Sequence, residues 1–410
     1  MLPSKARTGL AILLVAAASS LTIGVVNALR PRQSQDVKTV REWSELWLAN
    51  SNPYTTAHAD YAPNALVTLA PLALVPESWI ALPWAVLNLG LAGVAVWLTM
   101  RVLFPGAPLF AGIVPALLFL CWGGLRVGLG VGQFQLLALT LGLAAVASSN
   151  RRPDVAGILL GVAMLKPHVA GAFFLWAVLT GRLRVAAIAL VVVIAGVLAF
   201  SARLGQNPVD IISTYLSVLD SELGGRQAVA GIDVRPVAHL VLGRTLEAEL
   251  AYVTLIAVFF SLLVAVTIRG SRSHAQARDA VALSACCAFG VLAFPHSPYD
   301  IVLLLPAAMW LYRSWITPGG GWLADKHPAG QRIMFGLVQV ALVLEIPGLA
   351  YRLDKHNELA VTPLLSTIDA AVVALVFGWV VWTAFVTGAP GRGSRSSIGL
   401  SRSGGLREST

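Results

Sequence analysis

The sequence predicts an all-α, polytopic integral membrane protein, and three observations carry that prediction. Of its 410 residues, 57% are hydrophobic and 12% charged, where soluble domains carry roughly a quarter charged. Apolar runs of bilayer-crossing length recur along most of the chain, giving a mean hydropathy of +0.76, and helices are the spanning structure such runs form. The bases are also distributed unevenly between alternate loops. Lys5, Arg7, Arg101, Arg151, Arg152, Arg182, Arg184, Arg269, Arg272, Arg278, Arg313, Lys326, Arg332 and the tail arginines fall on one side, with only Asp154, Asp279, Asp325 and Glu408 among the acids. By the positive-inside rule that side is cytoplasmic. A net charge of +9 therefore reports topology, and nucleic acid is excluded as a partner in favour of the membrane.

The elements follow in order. Lys5 and Arg7 precede an apolar run over 9–29, too long for a signal-peptide core and read as an uncleaved first span with its N-terminus inside. A polar first external loop occupies 30–63. The next apolar piece, 64–76, is about thirteen residues long, and such a length suggests an interfacial or re-entrant segment. Spans are expected at 79–100, 107–123, 131–149, 183–203, 249–268, 280–295, 299–316, 332–351 and 364–387. Arg151 and Arg152 precede the segment 154–179 and Arg182 and Arg184 follow it, so it should enter and return as two short helices meeting at Lys166-Pro167. This gives about twelve membrane segments in one integral domain over 1–387, with both termini cytoplasmic in a plasma (inner) membrane. A second long external loop is expected at 204–248 and a shorter one at 351–363. The Gly/Ser/Arg-rich tail, 388–410, should be disordered. Cys121, Cys286 and Cys287 sit in apolar runs and read as small buried hydrophobes.

Chemistry at a water-accessible face has few places to reside. The first loop holds Asp36 and Asp60 among Trp43, Trp47, Tyr54 and Tyr61. A solvated loop aspartate usually only solubilises, and aromatic residues at this depth also serve as interface anchors. Lys166 and His168 interrupt an apolar stretch, where an ionisable residue marks a functional site by default; snorkelling to the interface is the competing reading. A lysine at a helix break facing a polar cavity suits a phosphate. His296 and Tyr299 lie in the turn Phe294-Pro-His-Ser-Pro-Tyr-Asp300, which reads equally as a polar turn with Asp300 at a helix N-terminus. The run Gly128-Leu-Gly-Val-Gly-Gln133 cannot be a nucleotide-binding loop, because that fingerprint needs a βαβ unit. Its glycines are expected to open a membrane helix, with Gln133 a polar group at the outer end of a span. No Cys/His spacing suggests zinc.

Taken in order, Asp36 with Asn52-Pro-Tyr54, Tyr61-Ala-Pro63 leading into Leu69-Ala-Pro-Leu-Ala-Leu-Val-Pro76, Gly132-Gln133, Leu165-Lys-Pro167 and Ser297-Pro-Tyr299 before Leu303-Leu-Leu-Pro306 resemble glycosyltransferase family 87. Departures are Ala62, where a second proline is usual, and Phe134 after Gln133. The family comprises polyprenyl-phosphate-sugar-dependent enzymes of the GT-C superfamily and includes α-1,2-mannosyltransferases of lipid glycans. The resemblance implies a GT-C-type bundle transferring a sugar, mannose first among candidates, from a polyprenyl monophosphate to a hydroxyl of a lipid or glycan acceptor on the outer face. Asp36 would be the general base, with Asp60, Tyr61, Gln133, Lys166, His168, His296 and Tyr299 binding substrate. A phosphate leaving group held by protein cations requires no metal or other cofactor. A secondary transporter or lipid-handling protein is the alternative, since transporters also use broken helices near mid-membrane.

Overall fold

The computed structural model describes residues 4–30, 33–104, 112–222, 232–243, 245–270, 275–316, 328–344 and 362–387. The expected loop 351–363 lies almost wholly outside these residues, and the expected tail 388–410 entirely so.

Among the described residues the chain is all helical, without strands. Helix α1 (Ser4–Ala28) leads into α2 (Gln35–Leu48), α3 (Pro53–Thr56) and α4 (Pro63–Leu69), which continues as a 3₁₀ turn over Ala70–Leu74; α5 is Glu77–Leu103. Next come α6 (Ile113–Leu120), α7 (Gly123–Val131), α8 (Gln135–Ser148), α9 (Pro153–Ala163), α10 (Pro167–Leu179) and α11 (Leu183–Leu204). The rest comprises α12 (Pro208–Glu222), α13 (Arg235–Leu242), α14 (Leu246–Gly270), α15 (Ala275–Ala293), a 3₁₀ segment (Pro298–Leu304), α16 (Leu305–Ile316), α17 (Pro328–Leu344) and α18 (Thr362–Thr387).

Both long polar stretches expected as loops contain helix. α2 forms because Val37, Val40, Trp43, Ser44 and Trp47 fall on one buried face at helical spacing. That face docks against α4 and α11, where Trp47 stacks on Phe200 and donates its indole N–H to the Phe200 carbonyl at 3.2 Å. α12 and α13 lie in the stretch 204–248.

Among the described residues, four helices are long and apolar enough to cross a membrane: Arg7–Ala28, Glu77–Leu103, Leu183–Leu204 and Leu246–Arg269. The pair α6 and α7, bent by 54°, is a fifth candidate. The expected span at 107–123 is thus displaced into this bent pair, and the expected span at 131–149 shrinks to α8. With 14, 11 and 13 residues, α8, α9 and α10 rise only about 16–21 Å, short of a core of about 30 Å. The piece after Pro63 is likewise short. The re-entrant reading of 154–179 matches α9 and α10 meeting at Lys166-Pro167.

The surface is inverted relative to a soluble protein. Val15, Val191, Ile194 and Val253 are more than half exposed, whereas Gln133, Lys166, His296 and Asp300 are buried. This is a multi-pass membrane protein, its exposed apolar faces suited to hydrocarbon. Helices meet closely where side chains vanish: a Cβ on Gly157 or Gly161 of α9 would stand 2.5 Å from Ile188 or Val192 of α11.

Polar residues gather at the two ends of the bundle. At one end, Arg182 pairs with Asp279 at 2.5 Å, donates to Asn150 and Ser149, and lies over Trp176. Arg182, Asp279, Asn150 and Trp176, with Arg101 and Arg151, line a cavity of about 560 Å³. Arg101, Arg151, Arg182 and Asp279 are among the charges that the sequence pattern assigns to one side. Residues expected outside meet at the opposite end of α10, whose 13 residues rise about 20 Å.

This separation is testable with an impermeant thiol reagent, because Cys121, Cys286 and Cys287 are buried. In intact cells, Thr55→Cys and Ser221→Cys should label and Asn150→Cys should not. The opposite pattern would invert the map.

Candidate active site

The site assembles where helices break. Gly132 ends α7 in the left-handed region at φ +78°, a conformation that costs glycine little. A Cβ there would also press on Val37 at 3.0 Å. The Gly132 carbonyl accepts the indole N–H of Trp84 at 2.9 Å, and the Gln133 N–H returns to the Gly128 carbonyl. The turn is thereby fixed, and Gln133 is held at the head of α8. The glycine run does not open a span, as expected from sequence; it lies within α7 and stops it.

Asp36 stands in the first turn of α2. Ser34, itself at φ 56°, anchors that turn: its N–H donates to the Gly130 carbonyl, its hydroxyl donates to the Ala28 carbonyl, and its own carbonyl accepts the Lys38 N–H. Lys166 precedes Pro167, which excludes the helical region for it, and it is extended at φ −127°, ψ 81°. Asp300 is fixed by a capping box with Ser297 at the start of the 3₁₀ segment.

These breaks bring one polar chain together. The Gln133 amide nitrogen donates to Asp36 Oδ2, and its Oε1 accepts from Lys166 Nζ at 2.7 Å. Lys166 Nζ also donates to Asp300 Oδ1 at 2.8 Å and lies 4.6 Å from the centre of the Tyr299 ring. The amide has one orientation, because a lysine can only donate and a carboxylate can only accept. Tyr61 reaches Gln133 Oε1 at 3.4 Å. Asp300 Oδ2 faces His168 Nε2 at 3.3 Å and His296 Nδ1 at 3.5 Å.

A cavity of about 350 Å³ opens on this chain, lined by Asp60, Tyr61, Gln133, Lys166, His168, Tyr299 and Asp300, with Tyr215, Leu219, Phe294 and Pro295 adding apolar surface. His296 lies behind the wall, buried, its ring 5.0 Å from that of His168. All eight residues singled out from sequence are therefore in one place, with three corrections. Asp36 does not line the cavity; Gln133 stands between. Its pKa is not that of a free aspartate but is pushed up to about 6 by burial, an effect that the Lys166 charge and the Gln133 hydrogen bond partly offset. And Lys166 is not a free cation awaiting phosphate, because Asp300 already pairs with it.

Asp300 is the residue that sequence reasoning missed. It reads as an ordinary N-terminal helix acid, and its partner is 134 residues away. The available signal was a carboxylate entering an apolar run, the same signal that singled out Lys166.

The model of glycosyltransferase family 87 matches residues 60–295, more than half of the chain. The chain belongs to glycosyltransferase family 87. The matched region includes Asp60, Tyr61, Gln133, Lys166 and His168, and stops one residue before His296; Asp36, Tyr299 and Asp300 lie outside it. The crystal structure of ArnT from Cupriavidus metallidurans in the apo state is similar over 93% of this chain and 78% of that one, at 17% identity and a TM-score of 0.38. No curated protein matches. Family 87 membership together with the apolar helices makes this a membrane glycosyltransferase, and an enzyme rather than a transporter.

The buried pair can be tested by unfolding in detergent. Lys166→Met or Asp300→Leu alone should destabilise by about 3–5 kcal/mol, because each strands a buried charge. The double variant should lose far less than the sum.

Proposed function

We propose that this family 87 enzyme transfers mannose from a polyprenyl monophosphate to a hydroxyl of a lipid-linked glycan at the outer face of the plasma membrane, with inversion, in a GT-C-type bundle. The observation that supports the reading is the polar chain along the cavity: carboxylates at one end, Asp60 in the wall and Asp36 just behind Gln133, and Lys166 and His168 in the wall at the other, with His296 behind them. An anionic leaving group and a hydroxyl that must lose a proton fit these two ends respectively.

Asp36 is the general base. The acceptor hydroxyl takes the place of the Gln133 amide as its partner, gives its proton to the carboxylate, and its oxygen attacks the anomeric carbon. The bond from that carbon to the phosphate oxygen breaks on the opposite face, and a β-linked donor yields an α-linked product. The donor phosphodiester leaves as a monoester with one more negative charge. Lys166, shared between Gln133 and Asp300, is already in position where that charge develops, so little reorganisation is needed. Asp60 and Tyr61 position the acceptor, and Tyr299 supports the Lys166 ammonium by cation–π contact.

The elevated pKa of Asp36 suits this role, since a base works best with a pKa near the operating pH. The carboxyl is protonated and idle below about pH 6 and ionised and competent above it.

With radiolabelled polyprenyl-phosphate-mannose and a lipid extract as acceptor, membranes carrying the protein should form a labelled glycolipid. Asp36→Asn should lower transfer by roughly 10²- to 10⁴-fold with donor affinity nearly unchanged. Asp60→Asn should do less; the reverse order would move the base to Asp60, and activity in both variants would end the hypothesis. In the wild type, kcat/KM should rise with pH through about 6.

Lys166→Ala should weaken donor use by roughly ten- to a hundredfold. It should also move the acid limb to higher pH, because the charge that holds Asp36 down is gone. Lys166→Arg should keep part of both. An alanine variant with unchanged donor affinity and pH profile would remove Lys166 from the mechanism.

A further inference from the structure

The histidine side of the site crowds two imidazole rings onto one carboxylate oxygen. His296 is buried, 2% exposed, and its Nε2 lies 3.2 Å from the Gly290 carbonyl oxygen. A carbonyl only accepts, so Nε2 carries the hydrogen and Nδ1 of the neutral ring presents a lone pair. That lone pair has no hydrogen-bond partner and faces Asp300 Oδ2 at 3.5 Å, another lone pair. His168 Nε2 approaches the same oxygen at 3.3 Å. The Ser297 N–H also donates to it at 3.2 Å. Two imidazole nitrogens and a carboxylate oxygen thus converge on one point.

We propose that His168 Nε2, His296 Nδ1 and Asp300 Oδ2 form a binding site for a divalent first-row transition ion, zinc in the first instance. The three ligand atoms lie within 4.8 Å of one another. A tetrahedral ion with bonds of about 2.0–2.1 Å has ligand–ligand edges of roughly 3.3–3.4 Å, and the two His–Asp distances already have that size. The support also fits. A metal-bound histidine usually donates its other ring N–H to a carbonyl or carboxylate, which His296 does to Gly290. Asp300 is oriented through its other oxygen, Oδ1, by Lys166, and the Ser297 N–H of the capping box holds Oδ2 itself. The segment behind His296 is braced as well: the Ile232 N–H donates to the His296 carbonyl and the Val234 N–H to that of Leu292.

Three protein ligands leave a coordination position open. His168 and Asp300 are part of the cavity wall and the His168 side chain is one-third exposed, so that position faces the cavity and the ion has a way in. An oxygen-bearing anion in the cavity is the complementary fourth ligand, beside the Lys166 ammonium. The site was invisible in the sequence because its ligands come from α10 and from a turn more than a hundred residues later. Binding of the ion does not depend on which sugar or lipid the enzyme uses.

The test uses full-length protein purified without a polyhistidine tag, stripped with chelator, reconstituted in nanodiscs and titrated with zinc chloride alone. We expect about one zinc per chain by elemental analysis and a rise in Tm. Cobalt in its place should give visible absorption bands of a low-coordinate nitrogen–oxygen site. His168→Ala, on the cavity wall, should fold normally and lose affinity by more than the roughly 10- to 100-fold that removal of a supporting group costs; His296→Gln should lose the site too. His239→Ala, whose imidazole pairs elsewhere with Glu249 at 2.9 Å, should bind as the wild type does. The proposal is overturned if stripped wild type takes up no zinc or cobalt and its Tm does not move, or if His168→Ala and His296→Gln bind as well as wild type. It is equally overturned if inorganic phosphate alone raises the Tm, metals do not, and His168→Ala abolishes the rise, for then the histidines are an anion clamp.

Discussion

A single ammonium group in an apolar bundle sets the terms for the whole site. Lys166 is 4% exposed, and a buried charge without partners costs more than folding can spare. Its partners must therefore come from distant parts of the chain: Asp300 from the turn before α16, Gln133 from the α7–α8 junction, and the Tyr299 face. Each partner commits its own segment. Gln133 fixes the orientation of its amide and so binds Asp36, which fixes the first turn of α2. The site is in this sense the set of groups that partner one buried lysine in a membrane protein.

That requirement explains why the functional residues sit at helix ends. A continuous helix satisfies its own backbone and offers the interior only side chains on one stripe. Pro167, Gly132 and the Pro295–Pro298 turn interrupt the backbone at one depth and let Lys166, Gln133 and Asp300 converge. Free backbone groups at those breaks are taken up locally, as where Trp84 satisfies the Gly132 carbonyl. The shortness of α8, α9 and α10 is a consequence of the same arrangement.

Much of this was legible in the sequence, for physical reasons. Lys166, His168 and the first-loop aspartates stand out because ionisable groups in an apolar chain are few, and the proline after Lys166 announces a break. Helix α2 was also legible in principle, through the spacing of Val37, Val40, Trp43 and Trp47, but it was hidden by the polarity of the stretch around it. What no local pattern could carry was pairing at long range. Asp300 looked like a helix cap because its neighbours in sequence are a serine and a proline; its partner in space is Lys166. For the same reason the pKa of Asp36 had to come from its surroundings, since burial and not composition raises it. The span count failed on a different point: apolar length in sequence does not reveal where Gly132 or the break between α6 and α7 will cut a run into pieces.

Helix α10 is tied at both ends. Lys166 at its head is held by Asp300, and Arg182 just past its foot is held by Asp279 at the start of α15. Both anchors belong to the same neighbouring stretch, α15 and the turn that follows it, against which α10 packs along its length. A rod pinned to one support at two points about a helix length apart can neither slide along it nor swing away without separating a buried ion pair and a part-buried one at once. The α10 side of the cavity is accordingly a fixed jamb. Passage of a long polyprenyl chain or a bulky acceptor has to be accommodated on the facing side, by α12 with Tyr215 and Leu219 and by the Asp60–Ala62 segment, which hold neither of the two ion pairs that pin α10.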